Sequence, residues 1–139
     1  DNIEKLCCPC GYLNWDETRK DAMIREIYEE TGLDLKNNCE VVEIDTIDDP
    51  SKDVRQNIVT RYACILSHAK LVSQLSDGII NCDTKSRGGE ADEVSELVLL
   101  PLSKIKDMNS DEFAFNHKEV IFEVISKYDK EFFERFNKQ

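Results

Sequence analysis

The chain has 139 residues, of which 40% are hydrophobic and 34% charged, and 29 acidic residues against 18 Lys and Arg give a formal net charge of −11. That size suits one domain around one core, and no apolar run approaches the roughly 18 residues a membrane helix needs. The acid excess argues against an extended nucleic-acid surface, which relies on Lys and Arg, although a divalent cation can still bring a phosphate in.

At the start of the chain, EKLCCPCGYL reads as a short strand running into a turn at Pro9 to Gly11, and nothing there reads as a signal peptide. Of the six cysteines, Cys7, Cys8 and Cys10 lie too close together to form an evident disulfide framework. They read as reduced intracellular thiols, which places the protein in the cytoplasm. Cys7 and Cys10 make one C-x2-C pair, and a structural zinc site would require a second such pair or two histidines.

Thr18 to Glu30 reads as a helix, with Asp16 or Thr18 as its N-cap and Gly32 as the glycine just past its end. CEVVEIDTI, residues 39 to 47, reads as a strand, DDPSKD as a turn, and QNIVTRYACIL as a second strand through the alternation Ile58, Thr60, Tyr62, Cys64 and Leu66. The pair predicts a hairpin with a long tip. From His68 to Gly89 the pattern lapses into a stretch longer than most connections, with turn signals at Asp77-Gly78 and Gly88-Gly89. EVSELVLLPL, residues 93 to 102, reads as a strand ending at Pro101. Ile121, Ile125, Tyr128, Phe132 and Phe136 then form the apolar stripe of an amphipathic helix. Strands around two helices imply an α/β or α+β arrangement.

The first helix carries an electrostatic problem. Glu26, Glu29 and Glu30 share one face, where like charges three or four positions apart cost about 0.2–0.5 kcal/mol per pair, and they stand near the negative end of the helix dipole. A solvated acidic face, balanced by Arg25 and Lys20, is the ordinary explanation. A hard divalent cation supplies another, because Mg2+ is held by a few carboxylates together with substrate phosphate oxygens.

The residues around these carboxylates carry a resemblance that bears on the choice. Gly11, five residues, Glu17, seven residues, then Arg25-Glu26-Ile27-Tyr28-Glu29-Glu30-Thr31-Gly32-Leu33 resembles the complete Nudix box, G-x5-E-x7-R-E-U-x-E-E-x-G-U with U aliphatic. Matching every fixed position by chance in a chain of this length has a probability on the order of 10⁻⁷ or less. On either side the likeness is weaker: the lead-in to Gly11 is similar to the family's strand and turn, and EADEVSELVLLPLSKI to a later acidic loop and strand. The family usually has Pro-Gly-Gly where this chain has Pro9-Cys10-Gly11.

The resemblance implies a Nudix fold, a mixed β-sheet sandwiched between α-helices, as a single domain over residues 1–139. Family members carry strands before the box, whereas ten residues precede Gly11 here. The expectation is that N-terminal strands are missing from the chain or that another element completes the sheet. The implied activity is Mg2+-dependent hydrolysis, with Mn2+ as a substitute ion, of a nucleoside diphosphate linked to another group: a nucleotide sugar, a dinucleotide or a nucleoside triphosphate. The implied partner is a small nucleotide, with neither extended nucleic acid nor membrane, and a homodimer stays open. A Nudix-fold nucleotide sensor or interaction module without catalysis is the alternative.

By the same resemblance Glu26, Glu29 and Glu30 hold metal, with the Gly11 carbonyl contributing. Arg25 is expected to fix a catalytic carboxylate through a forked hydrogen bond, and Glu17 to support the loop or a further metal. A further acid is expected from the turn after Gly88-Gly89. Glu90 is the first choice, Glu93 the second, with Asp92 beside them, and the catalytic set is then Glu26, Glu29, Arg25 and Glu90. Tyr62, Phe113 and Phe115 are candidates for stacking on a base, against the commoner role of core aromatics.

Overall fold

Capped helices and a β-branched hairpin are what these segments form in the computed structural model, which describes residues 5–37, 39–52, 55, 57–66, 73 and 97–139. Their order is α1 (Arg19–Thr31), β1 (Glu40–Ile47), β2 (Val59–Ile65), α2 (Leu102–Asp107), α3 (His117–Tyr128) and α4 (Lys130–Asn137). Helices and a two-stranded antiparallel sheet agree with the α/β class read from the sequence. Among the described residues no helix is long and apolar enough to cross a membrane. The chain falls into two compact units, one of residues 1–7, 41–64 and 107–139, the other of residues 8–40 and 65–106.

In the first unit, Val41, Val42, Ile44 and Thr46 give β1 its preference for extended backbone. The turn before β2 is fixed by Asp49, whose carboxylate accepts the Ser51 amide at 2.9 Å while its carbonyl accepts the Lys52 amide at 3.0 Å. Across the hairpin Thr46 and Thr60 share a hydroxyl hydrogen bond of 3.1 Å. Arg61 of β2 is the unit's electrostatic centre. Its Nε donates to Asp45 Oδ1 at 2.6 Å and its Nη2 to Asp45 Oδ2, while Nη1 and Nη2 reach Glu123 at 3.2 and 3.0 Å. Lys127, one turn further along α3, also donates to Asp45.

Three elements depart from the sequence reading. The strand expected around EKLCCPCGYL is, among the described residues, a single parallel bridge from Leu6 to Phe113, with Leu6 N–H donating to Glu112 O and Leu6 O accepting from Ala114 N–H. Of the strand expected over 93–102, residues 97–101 are irregular, and 93–96 lie outside the described residues. Pro101 instead opens α2, its carbonyl accepting the amides of Lys104 and Ile105. The C-terminal stripe belongs to two helices, not one. Asp129 at φ −142° and ψ 89° breaks the spiral, and its carboxylate accepts the Phe132 amide at 3.0 Å to start α4. The break lets Phe136 stack on both Phe132 and Phe122, each with ring centroids 6.0 Å apart.

Among the aromatic candidates, Phe113 is buried core, Tyr62 donates its hydroxyl to Glu43 at 3.3 Å, and Phe115 is half exposed under the Arg55 guanidinium. Burial of His117 pushes its imidazole below the usual histidine range.

The second unit contains α1. Thr18, in extended backbone, accepts the Asp21 amide at 3.1 Å, and Gly32 at φ 78° turns the chain out of the helix while its amide closes on Tyr28 O at 2.8 Å. Both ends are therefore fixed locally. Ala22, Leu33, Leu35 and Ile105 form this unit's core, with Leu35 only 2% exposed.

The Asp45 network gives a pH prediction. The Arg61 hydrogen bond, opposed by burial and helped by Lys127, lowers the Asp45 pKa from 3.8 to about 2. A depressed carboxylate pKa contributes stability that is present above the unfolded value of about 3.8 and is lost as pH falls through 2. After discounting for solvent around Lys127 and Glu123, the contribution is about 1–2 kcal/mol. Asp45→Asn should therefore lower unfolding stability by that amount at pH 7 in urea titrations, with the gap closing by pH 2. A gap of equal size at both pH values would refute the ionic account.

Candidate active site

The site is built on one turn of α1 and the loop that leads into it. Arg25 sits at its centre because a helix places the residue four positions away alongside it, because its long side chain also reaches Glu26, and because the loop from Gly11 to Glu17 folds back over its guanidinium. Nη1 donates to Glu26 Oε1 at 2.8 Å and to Glu29 Oε2 at 3.1 Å. Nε and Nη2 close a fork on Glu17, at 3.1 Å to Oε2 and 2.8 Å to Oε1. Nη2 also donates to the Tyr12 carbonyl at 2.8 Å. The fork expected for a carboxylate of the helix thus goes to Glu17, eight positions upstream, and Glu26 and Glu29 each receive one bond.

Glu17 in turn organises the loop, since its Oε1 accepts the Asn14 amide at 2.7 Å. Its carboxyl is held below the usual range first by the Arg25 hydrogen bond and then by the Asn14 amide. Arg25 is raised above its ordinary value, chiefly by Glu17. Its guanidinium stays charged at any pH the fold survives. The side chains of Glu26 and Glu29 are each 12% exposed, Glu17 16% and Arg25 25%. Glu30 is buried at 6% exposure.

Gly11 has a steric reason to be glycine. A Cβ built there would lie 1.9 Å from the Glu26 carboxyl carbon and 2.1 and 2.3 Å from its two oxygens. The backbone and the carboxylate occupy adjacent space with no room for a methyl group. Cys10, which stands where the family usually has glycine, is exposed.

The donor chemistry fits a hard dication. Glu26, Glu29 and Glu17 place three carboxylates on one guanidinium, and Glu30 adds a fourth acid on the same helix. All are oxygen donors, which Mg2+ prefers, and their partly buried negative charge exceeds what Arg25 offsets. Among the described residues no three acidic, histidine or cysteine side chains already converge on a common point. Arg25 is the cation around which the carboxylates are arranged.

Glu90, Asp92 and Glu93, with the 68–89 stretch apart from Ser73, lie outside the described residues. Sequence reading missed the backbone partners, Tyr12 O and Asn14 N–H. No residue type marks a main-chain group, although an acid six residues after a glycine and before a capped helix was a signal that Glu17 belongs to the loop. It also missed Asp16 at φ 60°, a left-handed position that aspartate tolerates better than most residues.

Comparison with curated proteins and with solved structures gives no match. A family model described as NUDIX domain matches residues 2–124, a span that contains Gly11, Glu17, Arg25 and the three helix carboxylates. With that match over most of its length, the chain belongs to the NUDIX domain family.

Proposed function

We propose that the protein is a Mg2+-dependent hydrolase that cleaves a pyrophosphate linkage in a nucleoside diphosphate joined to another moiety, such as a nucleotide sugar, a dinucleotide or a nucleoside triphosphate. Hydrolysis of pyrophosphate-containing substrates, generally with divalent metals, is the chemistry of the family to which the chain belongs. The observation that carries the reading is the convergence of Glu17, Glu26 and Glu29, oxygen donors of the kind a hard dication takes, on a single guanidinium of the box helix.

Glu26, Glu29 and Glu30 would hold the metal, with the Gly11 carbonyl beside them. Bound there, it neutralises phosphate oxygens and lowers the cost of nucleophilic attack. Arg25 is a positioning residue: its bonds to Glu26 and Glu29 restrict both carboxylates to one rotamer, and Glu17 fixes Arg25 in return. Either Glu26 or Glu29 can take the proton of an attacking water, and Glu90 or Glu93 is proposed as a further acid. We place the enzyme in the cytoplasm, acting on small soluble nucleotides.

Purified protein incubated with Mg2+ and a panel of nucleotide pyrophosphates should turn over at least one, with products resolved by chromatography, and excess EDTA should abolish the reaction. Undiminished turnover in EDTA would overturn the metal-dependent mechanism. Tight nucleotide binding without turnover would favour a sensor.

Two sets of variants test the residues. Glu29→Gln and Glu30→Gln keep side-chain shape and lose charge, so kcat should fall about 10²- to 10⁴-fold while circular dichroism stays that of wild type. Near-normal rates in both folded variants would show that the carboxylates are misassigned. Gly11→Ala should act differently, because the clash is with the flexible end of Glu26. The side chain can swing aside at small cost to the fold, so Tm should move by no more than about 4 °C while kcat falls at least about tenfold. Unchanged kcat would mean that the position of the Glu26 carboxylate is immaterial.

A further inference from the structure

The loop that Arg25 and Glu17 hold in place carries three large hydrophobic side chains in four residues, all directed to solvent. Tyr12 is 69% exposed, Leu13 57% and Trp15 96%. Singly exposed apolar residues are ordinary, but an almost wholly exposed tryptophan with a tyrosine and a leucine beside it is the kind of surface that binds something. We propose that Tyr12 and Trp15 form a stacking platform for the nucleobase of the substrate, an inference that rests on the nucleotide hydrolase reading above.

The loop's attachments support this. The Tyr12 carbonyl is bonded to Arg25 Nη2 at 2.8 Å, and the Asn14 amide to Glu17 Oε1 at 2.7 Å. The backbone of the aromatic segment is therefore anchored on the groups that position the carboxylates. Asp16 at φ 60° then turns the chain between Trp15 and Glu17. Trp15 Cα can be no more than about 7.6 Å from Glu17 Cα, a span that a nucleoside with its phosphates readily bridges. An anchored loop also presents its rings without a further cost of ordering the backbone on binding.

The chemistry of the neighbourhood selects the occupant. The carboxylates beside the loop repel an anionic membrane surface. A nucleotide suits both halves of the site, with phosphates on the metal side and an aromatic face for the rings. Stacking reads a π-surface and not a hydrogen-bond pattern, so the platform predicts tolerance of base identity.

Trp15 is the one tryptophan in the chain, so intrinsic fluorescence reports on it directly. Titrating wild-type protein with a methylene-bridged nucleotide that resists cleavage should quench its emission, whereas inorganic tripolyphosphate, which lacks a base, should not. Trp15→Ala and Tyr12→Ala, both of which keep the backbone carbonyl that Arg25 holds, should raise KM for nucleotide substrates about five- to a hundredfold, with kcat within about twofold. Trp15→Phe should restore most of the loss, because a ring is retained. Nucleotide hydrolysis with unchanged emission and unchanged KM in both alanine variants would overturn the platform and leave the hydrolase reading standing. Quenching by nucleotide without turnover would do the reverse. Emission that shifts with protein concentration, accompanied by dimers in sedimentation, would assign the patch to a second copy of the chain and also overturn the proposal.

Discussion

The second unit depends on one guanidinium. Arg25 offers five N–H donors in a rigid plane, and they are spent on two carboxylates of its own helix, one carboxylate of the preceding loop and one loop carbonyl. Without it, Glu26 and Glu29 would each lose a charged hydrogen-bond donor, and the loop from Gly11 to Glu17 would lose the bonds that tie Tyr12 and Glu17 to the helix. A lysine could not substitute, because a point charge cannot hold a fork on Glu17 and still reach three other acceptors.

The constraint passes outward from that centre by contact. Because Arg25 holds one Glu26 oxygen at 2.8 Å, the carboxylate lies where a side chain at position 11 would displace it. Because Glu17 holds the Asn14 amide, the loop runs outward with its aromatic side chains exposed. The glycine, the acid and the arginine of the motif are therefore interlocked, and changing any one of them alters the geometry that the others need. Their spacing in the sequence is a consequence of that interlock.

Features set by near neighbours could be read from the residues alone. The ends of α1 were legible because Thr18 and Gly32 act within four residues of the bonds they complete. The hairpin was legible because β-branched residues and the Asp49 turn act equally close to home. What failed was whatever a periodic pattern does not encode. The apolar stripe from Ile121 to Phe136 keeps its spacing straight through Asp129, so the break between α3 and α4 is invisible to periodicity and depends on a side-chain cap. Residues 97–101 are apolar enough for a strand, yet the carbonyl of Pro101 serves a helix. At the site, the pairing of Arg25 with Glu29 followed from four-residue spacing, whereas its bond to Glu26 depends on side-chain reach, and its fork to Glu17 and its bond to Tyr12 O depend on how a loop folds.

Two arginine-centred networks among the described residues differ in what they gather. Arg61 and Lys127 face Asp45 and Glu123, two cations against two anions, so the cluster is balanced and its effect is to join β1, β2 and α3. Arg25 binds Glu17, Glu26 and Glu29, all carboxylates, in side chains no more than 25% exposed. Grouping like charges that closely and partly out of water costs free energy unless cations lie among them. An oxygen-only donor set suits the hard divalent ions which phosphate chemistry employs.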